Sequence, residues 1–170
     1  MFSDRSHFEE EQQALISGLM PMSDEAVKRA VGATQSVPSS YIKFLTNFGS
    51  GKIKPPNEPD RFPAHFEILE RLRSAEKEYF RDTKIYEHGA KGDVLIFGTE
   101  STGICYGFDS GNNNSVVQID NYRTVQNLDL DFEQLIFGII ACYPDFPESY
   151  DNGLWTNDLG DKFSIAGLSV

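Results

Sequence analysis

The sequence predicts an α+β fold: an antiparallel sheet in meander order, with helices packed on one side. Three observations predict it. Strand-like runs follow one another closely between residues 93 and 120. Stretches of helical periodicity flank them on both sides. The 170 residues carry 13 Phe, a supply of rings that suits one core between a sheet and its helices.

The elements read as follows. Residues 5–18 form a helix anchored by Phe8, Leu15 and Ile16, ended by Gly18 and Pro21. A second helix starts after Ser23, an N-cap, with Asp24 and Glu25 at the positive end of its dipole. Val27, Ala30 and Val31 give it an apolar stripe, and Gly32 closes it. Pro38 suits a first helical turn, where no intrahelical bond is lost. Ser39 caps the short helix that follows, with Tyr41, Phe44, Leu45 and Phe48 at helical spacing. Residues 47–51 break the chain with glycines that accept positive φ.

Residues 52–63, with four prolines, read as loop. The alternation from His65 to Leu69 suits a strand, and Glu70 to Tyr79 reads as a charged amphipathic helix. Residues 93–98, 103–109 and 115–120 are the three meander strands. Gly98, Gly103 and Gly107 permit turns and bulges between them. The last helix covers Asp131 to Cys142, with Phe132, Leu135, Ile136 and Ile139 as its stripe. Residues 1–143 make one domain with a core at 23–140. Residues 144–170 are a polar, acidic C-terminal extension.

Charge is the most informative bulk property. The net value is −11. Residues 1–94 hold 13 Lys/Arg and 15 Asp/Glu, a balance of −2. Residues 95–170 hold only Arg123 and Lys162 against 11 Asp/Glu, a balance of −9. Such a field repels nucleic acid and draws in basic partners. Solubility alone is the plainer account of the same number. The first residues turn acidic where a secretory signal needs an apolar run, and no stretch reaches the roughly 18 apolar residues of a span. Cys105 and Cys142 lack metal-like spacing and read as buried reduced thiols. A cytoplasmic protein is expected.

Catalytic and cofactor motifs fail one by one. The segment Gly49-Ser50-Gly51-Lys52 would place the first phosphate-loop glycine on Thr46, and Ile53 stands where a magnesium-binding hydroxyl belongs. His7, His65 and His88 are scattered, so no zinc site is expected. The segment 98–103 has its serine one place late for a nucleophile elbow. Cys105 lies among apolar residues, which raise a thiol pKa. The Asn-rich turn after Asp109 lacks the glycine and terminal Glu of a calcium loop. Asp129 and Asp131 read as solvated carboxylates. The expectation is a non-enzymatic protein without metal or cofactor.

The order of motifs carries a resemblance. Val37-Pro38-Ser39-Ser40-Tyr41-Ile42-Lys43-Phe44-Leu45-Thr46-Asn47-Phe48-Gly49 resembles the "lP-x-x-Y-x-x-F-L-x-x-N-G-G" segment of the SUKH superfamily, the Smi/Knr cell-wall-regulator and immunity-protein group. Ile96-Phe97-Gly98 followed by Gly103, Tyr106, Phe108 and Asp109 is similar to its "I/L-P-F-G … G-D-x-Y-C-F-D" strand pair. Leu130 to Ile136 matches its "D-x-F-E-x-F-L" helix start. The likeness spans roughly residues 23–140. The paired glycines become Gly49-Ser50-Gly51, Ile104 or Cys105 replaces a polar position, and the tail after 144 has no counterpart.

The resemblance implies a SUKH-like fold and an immunity protein that binds and neutralises a cognate bacterial toxin. Toxins of this kind are often nucleases, whose substrate requires a basic surface, so an acidic inhibitor is a physical match. The candidate contacts are Asp109, Asp120, Asp129, Asp131, Glu133, Asp145, Glu148 and Asp151, with Tyr122, Tyr143, Tyr150 and Trp155 as exposed aromatic anchors. Two alternatives stand beside it. One is a regulatory scaffold that binds a cellular partner. The other is an enzyme, which would need a perturbed titratable group in a pocket.

Overall fold

A computed structural model describes residues 8–32, 36–59 and 65–165. The expected helix start at residues 5–7, His7, and the ends of the proline loop and tail lie outside the described residues. The architecture is α+β. Six strands form an antiparallel meander in the order β1-β2-β3-β4-β5-β6: β1 Gly51–Ile53, β2 Phe66–Ser74, β3 Val94–Glu100, β4 Cys105–Asp109, β5 Ser115–Ile119 and β6 Val125–Asn127. Helices α1 (Glu10–Leu15), α2 (Asp24–Val31) and α3 (Ser39–Asn47) precede the sheet, and α5 (Phe132–Cys142) follows it. No described helix is long and apolar enough to cross a membrane.

Local chemistry explains the helix ends. Ser23 accepts from the amide of Ala26 and starts α2. Asp131 accepts from the amide of Gln134, whose side chain bonds back, so α5 opens with a capping box. Pro38 sits just outside α3, one place before the expected first turn. Gly49, at φ 92°, passes so close to Met20 that an added Cβ would lie 1.5 Å from its carbonyl oxygen. That glycine is the condition for joining α3 to β1 beside the Met20–Ser50 bridge.

The sheet buries both faces. Leu95, Phe97, Tyr106, Phe108 and Val116 point to the larger core, shared with α1, α2, α3 and α5. Its centre is a ring cluster: Tyr41, Phe97, Phe108 and Phe132 lie with centroids 4.7 to 6.1 Å apart. Val94, Ile96, Cys105, Val117 and Ile119 point the other way, onto Ala75, Phe80 and Ile85. The long helices therefore occupy one side as expected, while a short helix, α4 (Ala75–Glu78), and a 3₁₀ turn, Ile85–His88, close the second.

Three sequence assignments need correction, the first being the start of the expected 52–63 loop, where Lys52 and Ile53 belong to β1. The helix expected over residues 70–79 is mostly strand: β2 runs to Ser74 and only Ala75–Glu78 is helical. Its charged pattern is that of a bulged strand. The ladder to β3 breaks between Ile68 and Arg73, and Glu70 and Arg71 are exposed there. The C-terminal extension is also more than a polar tail. Strands β7 (Pro147–Asp151), β8 (Leu154–Asn157) and β9 (Lys162–Phe163) form a second antiparallel sheet packed on α5. Gly138 allows the approach, since a Cβ there would lie 2.5 Å from the Trp155 ring and 2.7 Å from Pro147.

Candidate functional site

A bulge in β3 creates the site. Ile96 pairs with Gly107 and Gly98 with Tyr106, so Phe97 is an extra residue on the β3 side. The extra residue reverses the alternation. Gly98 and Glu100 consequently face the same side as Leu95 and Phe97. Glu100 lies under the long-helix face, only 9% exposed. Tyr106 donates its hydroxyl to Glu100 Oε1 at 2.8 Å. Burial is the largest of the causes that push the Tyr106 phenol far above its usual range, so it remains a donor.

The small sheet supplies the opposite wall. The chain leaves α5 through Tyr143 and a cis Pro144, then lays Phe146 parallel to Tyr106, 6.3 Å away at 9°. Asn157 is fully buried and organises this wall. Its Oδ1 accepts from the amides of Leu159 and Asp161, and its Nδ2 donates to Asp145 at 3.2 Å. Between the wall and the sheet opens a cleft of about 590 Å³. Five carboxylates line it: Glu100, Asp129, Asp145, Glu148 and Asp158. No Lys, Arg or His is among the lining residues. Gln118 and Gln126, paired across β5 and β6, contribute further polar groups.

Three of the sequence candidates, Asp129, Asp145 and Glu148, meet in this cleft. Asp120 sits at the neighbouring end of the sheet. It accepts from the amides of Tyr122 and Thr124 and so shapes the β5–β6 turn, with Tyr122 90% exposed at its tip. Asn121 ties that turn to the carbonyl of Thr102 at 3.2 Å. Asp131 is exposed but committed to capping α5, and Asp151 is exposed on β7. Glu133 is half-buried on α5, and burial is the main cause that raises its carboxyl.

Two candidates are not the surface residues they were expected to be. Asp109 is only 2% exposed. Its carboxylate accepts from the amides of Lys91, Gly92 and Gly111 at 2.8 to 3.0 Å, organising two loops at the far end of the β3–β4 hairpin. Trp155 is 2% exposed and donates Nε1–H to the Gln134 carbonyl at 2.8 Å. It anchors the small sheet to α5, with Tyr150 packed on it at 4.7 Å. Tyr143 is half-buried and donates to Glu58 at 2.7 Å. Of the four aromatics expected as anchors, Tyr122 alone is well exposed.

Sequence reasoning missed Glu100 and Asp158. A carboxylate directly after an apolar strand was a visible signal in Glu100. Its orientation depends on the bulge, which has no unique signature. Cys105 and Cys142 are buried free thiols. Burial raises both, Cys142 up to about 12. Among the described residues, no group of His, Cys, Asp or Glu is arranged to hold a metal ion. No protein-family model, curated protein or solved structure matches this chain.

Proposed function

We propose that this chain is a non-enzymatic inhibitor of a basic protein, an immunity protein that binds and neutralises a cognate bacterial toxin in the cytoplasm. The observation that carries the reading is the cleft, where five carboxylates converge without a lining cation. Like charges gathered in a partly desolvated groove focus a negative potential, which attracts a complementary surface and speeds encounter. The resemblance of residues 37–49, 96–109 and 130–136 to the SUKH superfamily supplies the class of partner, and nuclease toxins are the basic members of that class. Asp129, Asp145 and Glu148 form the contact set within the cleft, and Asp120 and Tyr122 extend it along the adjoining turn.

The test is co-expression. The product of the gene directly upstream is expressed in a naive host, alone and with this protein. The expected result is toxicity that this protein abolishes and that a triple variant, Asp129→Lys, Asp145→Lys and Glu148→Lys, fails to abolish while remaining folded. Toxicity untouched by the wild-type chain would move the function to a regulatory scaffold, with pull-down of a cellular partner as the next experiment.

A further inference from the structure

The tip of the small sheet carries chemistry of its own. Asn152-Gly153 is the one place in the 170 residues where glycine follows asparagine. The pair forms the two-residue turn between β7 and β8, since Asp151 pairs with Leu154 across it. Both residues have positive φ, 49° and 85°, as a type I′ hairpin turn requires. Asn152 is exposed to solvent. Among the described residues, neither its side-chain amide nor the Gly153 N–H has a hydrogen bond. Asn157 is the contrast, fully buried and held at both ends of its amide. Asn112, Asn121 and Asn127 each donate to a partner.

We infer that Asn152 is a site of spontaneous deamidation, gated by opening of the β7–β8 hairpin. The Gly153 nitrogen, free of the crowding that a Cβ brings, attacks Asn152 Cγ. The N–Cγ bond forms and the Cγ–Nδ2 bond breaks. Nδ2 leaves as ammonia, and the proton lost from Gly153 N reaches it through solvent. One water then opens the succinimide at either carbonyl, giving aspartate or isoaspartate, with no oxidant or reductant involved. Ring closure needs Cβ and the Gly153 nitrogen on the same side of the Asn152 Cα–C bond. A type I′ turn, with ψ about 30° at its first central residue, holds them on nearly opposite sides, so the turn must open first. The small sheet suits such opening, because its strands are short and rest mainly on α5. Either product adds a negative charge beside Asp151. Isoaspartate also routes the backbone through Cβ, which lengthens a two-residue turn and spoils its match to the paired strands. Conversion therefore loosens the wall that brings Pro147 and Glu148 to the cleft. The reaction needs no partner and goes beyond the inhibitor reading.

The experiment incubates the full chain in mildly alkaline buffer until a first asparagine has converted. Peptide mass mapping and methyl labelling by an isoaspartyl methyltransferase locate it. Conversion is expected first at Asn152, with label in the peptide spanning 152–153. Conversion of any other asparagine ahead of it overturns the inference. Asn152→Gly keeps a residue that accepts positive φ and is expected to remove the label from that peptide. Label that remains there overturns the assignment to Asn152. The gate is read from Trp155→Ala, which is expected to speed conversion at Asn152 roughly tenfold while Asn112 and Asn121 keep their wild-type rates. Equal rates at Asn152 in the two proteins overturn the gating. If Trp155→Ala does not fold, Tyr150→Ala removes the ring packed on Trp155 and carries the same comparison.

Discussion

The two sheets differ in what holds them. The six-stranded sheet has a core on each face and a cluster of four rings at its centre. The three-stranded sheet is held mainly by what it lays on α5, with Trp155 as its largest buried side chain. Yet the second sheet and the segment leading to it supply one whole wall of the cleft. The stable part of the molecule thus provides a floor, and the weakly held part decides whether a site exists.

Breaking the floor should have the largest effect. Phe132 touches Tyr41, Phe44, Phe97 and Phe108, so Phe132→Ala should cost ~3–5 kcal/mol. Denaturant unfolding checks this, and a loss below about 1 kcal/mol would remove the ring cluster from the centre of the fold. Breaking the wall should cost less globally. Trp155→Ala is expected to release β7–β9 while sparing β3–β5, because the small sheet packs mainly on α5. Hydrogen exchange would show protection lost in residues 147–163 alone, and uniform loss would mean that the sheets unfold as one unit. The same variant should abolish cleft-dependent binding.

Titration sharpens the comparison. Cys142 ends α5 close to the wall, and burial holds its thiol up at about 12, against an ordinary value of 9.0. The folded state therefore favours the neutral thiol. That contribution is complete below pH 9, and it declines as pH rises from 9 towards 12 and the unfolded chain ionises first. Melting temperature should fall across that interval, and Cys142→Ser should flatten the fall. A thiol reagent at pH 8 should react with Cys142 far faster in Trp155→Ala than in the wild type. Equal rates would mean that the small sheet does not shield it.

The smallest effect is expected in the main core. The Tyr41 hydroxyl is buried with no hydrogen-bond partner among the described residues, and burial raises its pKa. Tyr41→Phe should be neutral or stabilise by up to about 1–3 kcal/mol, since an unsatisfied polar atom disappears. Destabilisation would show that the hydroxyl has a partner. For the complex, raising salt from 50 to 500 mM should slow association roughly tenfold or more if the acidic cleft steers encounter. A rate indifferent to salt would leave the charge asymmetry to solubility.

Much of the fold was legible in the sequence because it depends on local chemistry. Ser23, Asp131 and Gly32 mark helix ends by capping and by φ preference. The Asn113–Asn114 turn, with both residues at positive φ, follows from side chains that tolerate that conformation. Short apolar, strand-like runs bounded by turn residues identified the strands around Phe97, Phe108 and Val117. The small sheet was missed because its strands are short and polar outside, and its pattern makes sense only against Gly138 of the helix it packs on.

By itself the sequence determined the three central meander strands and the helices that flank them, the core rings and a −9 balance in the second half of the chain. The tertiary structure alone decided where that charge becomes a site. It withdrew Asp109 and Trp155 from the surface, because backbone amides and a helix carbonyl from elsewhere in the chain claim them. It gathered Asp129, Asp145 and Glu148 around Glu100, which a single extra residue in β3 turns towards them. Charge is a sum over composition, whereas a cleft is a matter of register, and one residue of register reverses the face of every side chain beyond it.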